Sequence, residues 1–149
     1  MTRRLLQNVT KRDVAVLLAA GLLLGSFAIP AFTGYVERSR VARAVSDIGT
    51  LSLQLYRWQQ DTNALPANLA EAGLDGDDPW GRPYVYLRAA DVSRTHLRKD
   101  GELAPLNSDF DLYSVGPDGE SALALPAASS HDDVVRARNG TYIGLAVNY

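Results

Sequence analysis

Asp111 and Asp118 stand seven residues apart around the turn Gly116-Pro117-Asp118-Gly119. This spacing offers two carboxylates to a hard cation. Ca²⁺ takes six to eight oxygens and accepts carbonyls beside carboxylates, and the segments 106–109 and 114–116 could supply them. The same residues also read as an Asp-Gly hairpin turn with solvated acids. Spacing alone leaves both readings open. Asp109 and the Asp132-Asp133 pair are weaker oxygen donors nearby. An EF-hand is excluded, because the Asp-x-Asp at 109–111 lacks the glycine and the terminal Glu at loop spacing. Asp75, Asp77 and Asp78 read as a solvated acidic turn before a second metal site. Trp80 between Pro79 and Pro83 reads as a turn packed by its own aromatic before a ligand platform.

Other chemistries find little to build on. The chain has no cysteine, which removes disulfides, thiol nucleophiles and thiolate metal sites. Its two histidines, His96 and His131, have no partner pattern. No Ser-His-Asp order, glycine-rich phosphate loop or paired catalytic carboxylates stand out, so no enzyme activity is expected. Charge is divided along the chain. Residues 1–57 hold eight Lys/Arg against three Asp/Glu, a net of +5, and residues 58–149 hold seven against fourteen, a net of −7. The acidic larger part would repel phosphate, so nucleic acid is not an expected partner.

The elements that must position these residues begin with an apolar run. Residues 14–32, VAVLLAAGLLLGSFAIPAF, carry no formal charge. At 1.5 Å per residue a helix of that length covers roughly 28 Å, about a bilayer's hydrocarbon core. It is too long for a secretory signal peptide, and the rest of the chain is too small to wrap a core helix. The expectation is a single transmembrane helix with residues 1–13 as a basic cytoplasmic tail and the long acidic part translocated. Pro30 lies at the far end of this run. Beyond it, Val41, Val45, Ile48, Leu51 or Ser52, Leu55 and Trp58 or Gln59 recur at helical spacing, a stripe for core packing. One helix is therefore expected over 11–60, with a transmembrane half at 14–32 and an amphipathic half at 33–60. A globular head at 61–149 follows. The helix stops in Asp61-Thr62-Asn63, and a short turn over 67–72 leads to Gly73. Strands are expected at 84–87, 110–115 and 142–147, with a loop over 121–131. The fold class is α+β, a long N-terminal helix packed on a small antiparallel sheet.

Three separated stretches, in order, carry a resemblance. Residues 28–66, AIPAFTGYVERSRVARAVSDIGTLSLQLYRWQQDTNALP, run an apolar helix through a proline into an Ala-Val-x-Asp-Ile segment. Asp78-Pro79-Trp80-Gly81-Arg82-Pro83-Tyr84 is similar to an Asp-Pro-Trp-Gly-x-Pro-Tyr signature. Asp111-Leu112-Tyr113-Ser114-Val115-Gly116-Pro117-Asp118-Gly119 is similar to an Asp-x-x-Ser-x-Gly-x-Asp-Gly loop. Over about residues 9–133 the chain resembles the type IV pilin superfamily, and within it the major pseudopilin of type II secretion systems. The resemblance implies a pilin-like fold. It also implies bound Ca²⁺ on Asp111 and Asp118, and the loop chemistry offers carbonyls at Leu106, Ser108, Ser114 and Gly116 as further ligands.

The resemblance further implies processing by prepilin peptidase. Pro30 on the family's proline puts Val9 at the first mature position and Asp13 at the family's glutamate. That glutamate contacts a neighbouring subunit's freed amine within the bilayer, where an unpaired acid would be costly. Here Asn8 stands in place of the family's glycine, and Lys11 and Arg12 in place of apolar residues. Cleavage between Asn8 and Val9 is accordingly expected to be slow or absent. In that case Lys11-Arg12-Asp13 is the snorkelling charged edge of the span. The Gly-Gly stretch that follows the family's calcium loop is replaced by 120–130.

The implied function is that of a structural subunit in the inner membrane, its C-terminal head in the periplasm. It would polymerise with copies of itself and other pseudopilins on the secretion system's inner-membrane platform. Two alternatives stand beside it: an uncleaved single-pass, membrane-tethered pilin-like protein that caps or recruits a filament, and a tethered periplasmic hydrolase using Asp111 and Asp118.

Overall fold

The computed structural model describes residues 10–101 and 104–149, without the side chains of 24, 25, 27, 28 and 104. Its longest element is helix α1 (Lys11–Thr62). Asn8 and Val9, the expected processing site, lie outside the described residues. Two compact units divide the chain, Met1–Arg38 and Ser39–Tyr149, so the second part of α1 belongs to the same unit as the sheet.

In the first unit the helix opens on a reciprocal cap. Thr10 N–H and hydroxyl both donate to Asp13 Oδ2 at 2.8 Å, and Asp13 N–H donates back to Thr10 Oγ1 at 3.3 Å. A side chain at each end of the first turn thus satisfies a backbone amide that the helix itself leaves free. Pro30 sits inside α1, where it lacks the N–H that would bond one turn back. Ser26 and Thr33 hydroxyls donate to the Leu23 and Pro30 carbonyls. Among the described residues of this unit, Leu17, Leu22, Ile29 and Phe32 are each exposed by about two-thirds or more. Among the described residues no helix is long and apolar enough to cross a membrane.

In the second unit α1 contributes Ala44, Ile48, Ser52 and Leu55 to the buried interior, spaced four, four and three residues apart. This is the expected stripe, centred one residue from Val45: Ala44 is the fully buried position and Val41, Val45 and Leu51 flank it. Ser52, buried, returns its hydroxyl to the Ile48 carbonyl at 2.7 Å, which removes the cost of burying it. The helix ends as Asn63 turns left-handed (φ 60°), a conformation that Asn tolerates better than most residues.

Among the described residues six strands follow: β1 (Val85–Arg88), β2 (Lys99–Asp100), β3 (Ala104–Pro105), β4 (Phe110–Ser114), β5 (Val134–Ala137) and β6 (Tyr142–Leu145). β2 and β3 form a small pair, and the other four make an antiparallel sheet in the order β1-β4-β5-β6. Tyr86 opposes Leu112 and Val134 opposes Leu145. Phe110, Leu112 and Val134 pack with Ala44, Ile48 and Leu55 of α1 in one cluster. Val135 and Ala137 point to the other face, into a second cluster with Leu106, Leu125 and Ala146. The sheet is therefore covered on both faces, by α1 and by the segments around 106 and 125. The α+β class read from the sequence holds. β5 is an addition to it, a central strand whose four residues are all buried.

Candidate functional site

In the second unit the second and third motifs meet each other and the part of the first that lies beyond Arg38. Asp78 closes its own turn: Oδ1 accepts the amides of Trp80 and Arg82, each at 3.0 Å. Its Oδ2 accepts the Ser114 hydroxyl. Asp78 is 4% exposed and Ser114 not at all, so this bond is made away from water. Arg82 reaches across to the same loop, donating to the Gly116 carbonyl at 2.6 Å and the Pro117 carbonyl at 3.2 Å. Tyr84 donates its hydroxyl to Asp47 of α1 at 3.0 Å. Burial first, then the Asp47 carboxylate, raise the Tyr84 hydroxyl's pKa, so it remains a donor. The Asp-Pro-Trp-Gly turn is thus a clasp that ties helix and loop to one another. Trp80 packs against the core beside it, as expected of a turn filled by its own aromatic.

Gly116 is required by two independent constraints. Its φ is +66°, and a Cβ there would lie 2.5 Å from the Asp132 carbonyl oxygen. A Cβ on Gly119 (φ +75°) would lie 2.7 Å from Arg82 Nε. The loop glycines therefore serve close packing of 116–119 on its neighbours.

On the sheet face away from α1, β4 presents Asp111 and Tyr113. Asp111 is 1% exposed; its Oδ2 accepts the Arg98 amide at 2.8 Å and its Oδ1 the Asn107 side-chain amide at 3.0 Å. Arg98 lays its guanidinium over the Tyr113 ring, 4.2 Å from the centroid. From there it donates to Ser121 Oγ and to Asp133 Oδ2, both at 2.6 Å. Burial raises the carboxyl pKa of both Asp111 and Asp133, against the pull of Arg98 and their other donors.

A second buried arginine, Arg136 of β5, forks onto both oxygens of Asp109, at 2.9 and 2.7 Å, and lies over Phe110. Tyr56 of α1 donates to Asp109 at 2.8 Å. Burial pushes Asp109 up, but Arg136, the Phe110 amide and Tyr56 outweigh it and hold the carboxyl below its ordinary range.

The residues put forward as metal ligands are engaged separately. Asp111 is buried among protein donors, whereas Asp118 is exposed and accepts the Glu120 amide at 2.8 Å. The Leu106 carbonyl accepts the Arg138 amide, the Gly116 carbonyl accepts Arg82, and Ser108 bonds Asn139 through both its amide and its hydroxyl. Ser114 gives its hydroxyl to Asp78. Among the described residues no group of three or more Asp, Glu or His gathers to hold a metal. This donor set does not fit Ca²⁺ as arranged, because its oxygens face several different partners instead of one centre. Nor do Asp111 and Asp118 form a hydrolytic pair, since both Asp111 oxygens are taken and shielded from substrate.

Asp75 and Asp77 are exposed, unlike Asp78; His96 and His131 are exposed as well. Asp13, the expected subunit contact, is held in its own helix cap. The Thr10 amide and hydroxyl lower its pKa. Sequence reading missed Arg98, Arg136 and Asn107. The signal available was an arginine set inside Val134-Val135-Arg136-Ala137, a strand too apolar for a solvated cation.

The long helix, the four-stranded antiparallel sheet and the clasp define a pilin-like α+β protein. The chain is 26% identical over 145 residues to the type II secretion system core protein G of Aeromonas hydrophila, covering 81% of this chain and 90% of that protein. The match supports the relationship to type II pseudopilins that the three motifs indicate. No family model matches the chain. No solved structure matches it either.

Proposed function

We propose that this protein is a pseudopilin-like structural subunit, anchored in a membrane by residues 14–32 and assembling with copies of itself. The observation that carries this reading is a single helix with two kinds of surroundings. Its first part holds exposed Leu17, Leu22, Ile29 and Phe32, while Ala44, Ile48 and Leu55 form the core of the head. Exposed apolar surface on that scale marks a partner or a lipid phase. Either one accounts for it: the bilayer before assembly, and neighbouring half-helices after it. The similarity to a type II secretion core protein supports the same role, with other pseudopilins and the secretion platform as partners. The mechanism is mechanical, a filament lengthened by adding subunits at its base.

The cap at Asp13 favours a second reading, a tethered pilin-like protein that keeps its leader and caps or recruits a filament. Asp13 already has partners in Thr10, and so does not call for a neighbour's amine. Intact-mass analysis of the protein extracted from membranes separates the two. A dominant species starting at Val9 supports the polymerising subunit, with Asp13 meeting a neighbour's amine. Retention of MTRRLLQN, released on Asn8→Gly, supports the tethered form.

A further inference from the structure

Arg98 is 2% exposed, and the groups around it come from three separate stretches of chain. Its own amide holds Asp111 of β4, and its carbonyl accepts the Leu106 amide at 2.8 Å. Its guanidinium holds Ser121 and Asp133, which bracket the segment leading into β5, and Ser121 also donates to Asp133 Oδ2 at 2.7 Å. Asp133 is fully buried. Two carboxylates removed from water on one side of a sheet need a cation nearby, since a buried charge without a partner costs several kcal/mol. Here that cation is a side chain.

The atoms left over point the same way. Arg98 Nε and Asp133 Oδ1 are buried without a hydrogen-bond partner. One is a donor and the other an acceptor, and they belong to the two members of one ion pair. A small rotation that closes the guanidinium side-on against the carboxylate satisfies both at once. An added metal ion would satisfy the oxygen, leave the N–H orphaned, and face a guanidinium of like charge.

The segment Arg98 secures carries Ser121 into this network. Leu123 and Leu125 then bond the backbone of Lys99, the residue after Arg98, at 2.7 and 3.0 Å.

We propose that Arg98 is the resident cation of the head: its guanidinium joins β4, the segment 121–133 and its own turn, in place of a bound divalent metal, so the head closes without calcium. Asp118, exposed on the neighbouring turn, takes no part in this closure.

The test uses the full chain in detergent micelles, with thermal unfolding in millimolar CaCl₂ and in excess EGTA, and equilibrium dialysis against ⁴⁵Ca²⁺. The two melting curves are expected to superimpose within about 1 °C, with no stoichiometric calcium retained. A calcium-dependent rise of about 4 °C or more, or one bound ion per chain, overturns the proposal. Arg98→Gln is expected to lower the melting temperature in both media and to open 121–133 to protease, whereas Asp118→Ala melts with the wild type. Equal losses from the two substitutions would also overturn it. The wild-type comparison stands even where Arg98→Gln fails to fold.

Discussion

At the scale of single residues, charge in this head is placed by what it must hold. Asp78 is the sharpest case, because one buried carboxylate answers two amides of its own turn and the hydroxyl of Ser114. Its replacement by alanine strands all three donors, each worth roughly 1–3 kcal/mol when left buried and unpaired. Since water can reach part of the turn, we expect Asp78→Ala to destabilise the protein by about 2–4 kcal/mol. Urea unfolding would measure this, and a loss under about 0.5 kcal/mol would refute the clasp. Arg136 and Asp109 work differently: their fork neutralises a cation inside the sheet, and removal of either leaves the other charge buried. Asp111 and Asp118, which the sequence offered together as a metal site or a hairpin turn, have separate protein partners. Asp118 is a turn acid, and Asp111 is an interior acceptor.

At the scale of elements, helix and sheet were read from periodicity, and the reading succeeded where one face is wet. The stripe at 41–58 has solvated neighbours, so its spacing shows through. β1, β4 and β6 were each anticipated within two residues of their observed ends. β5 was not, because both its faces are buried and alternation disappears; an arginine in it further disguised a core strand. The β2–β3 pair is two residues on each side, too short for any pattern to register. The motifs themselves were legible, but their meeting was not. Nothing in spacing says that Asp47, Tyr84, Asp78 and Ser114 lie together, since that depends on how the strands pair. Leu55, fully buried between α1 and the sheet, should report on this junction. Leu55→Ala removes a buried isobutyl group and is expected to cost about 2–5 kcal/mol. Leu53→Ala, on the exposed side of the same turn, should cost under about 0.5 kcal/mol. Equal losses at the two positions would show that the helix face had been misassigned.

At the scale of the whole chain, the division of charge and the exposed apolar half of α1 set the expected topology. Residues 1–57 carry the positive excess and 58–149 the negative. Protease added to spheroplasts is therefore expected to digest residues beyond 35 and to leave a membrane-protected fragment containing 14–32; a head that stays intact until detergent is added would reverse this orientation. Self-assembly is the central claim, and the cysteine-free sequence makes it directly measurable. Cysteine pairs would be introduced at exposed positions of α1, Val16 with Leu22 and Ile29 with Leu53. Members of a pair lie too far apart along one helix to bond within a chain, so oxidation can only join different copies. Membranes holding these variants would be oxidised and resolved on non-reducing gels. The account predicts a ladder of bands at multiples of the monomer's own mass that runs well past the dimer, and monomers alone from both pairs in the folded, membrane-bound protein would contradict it.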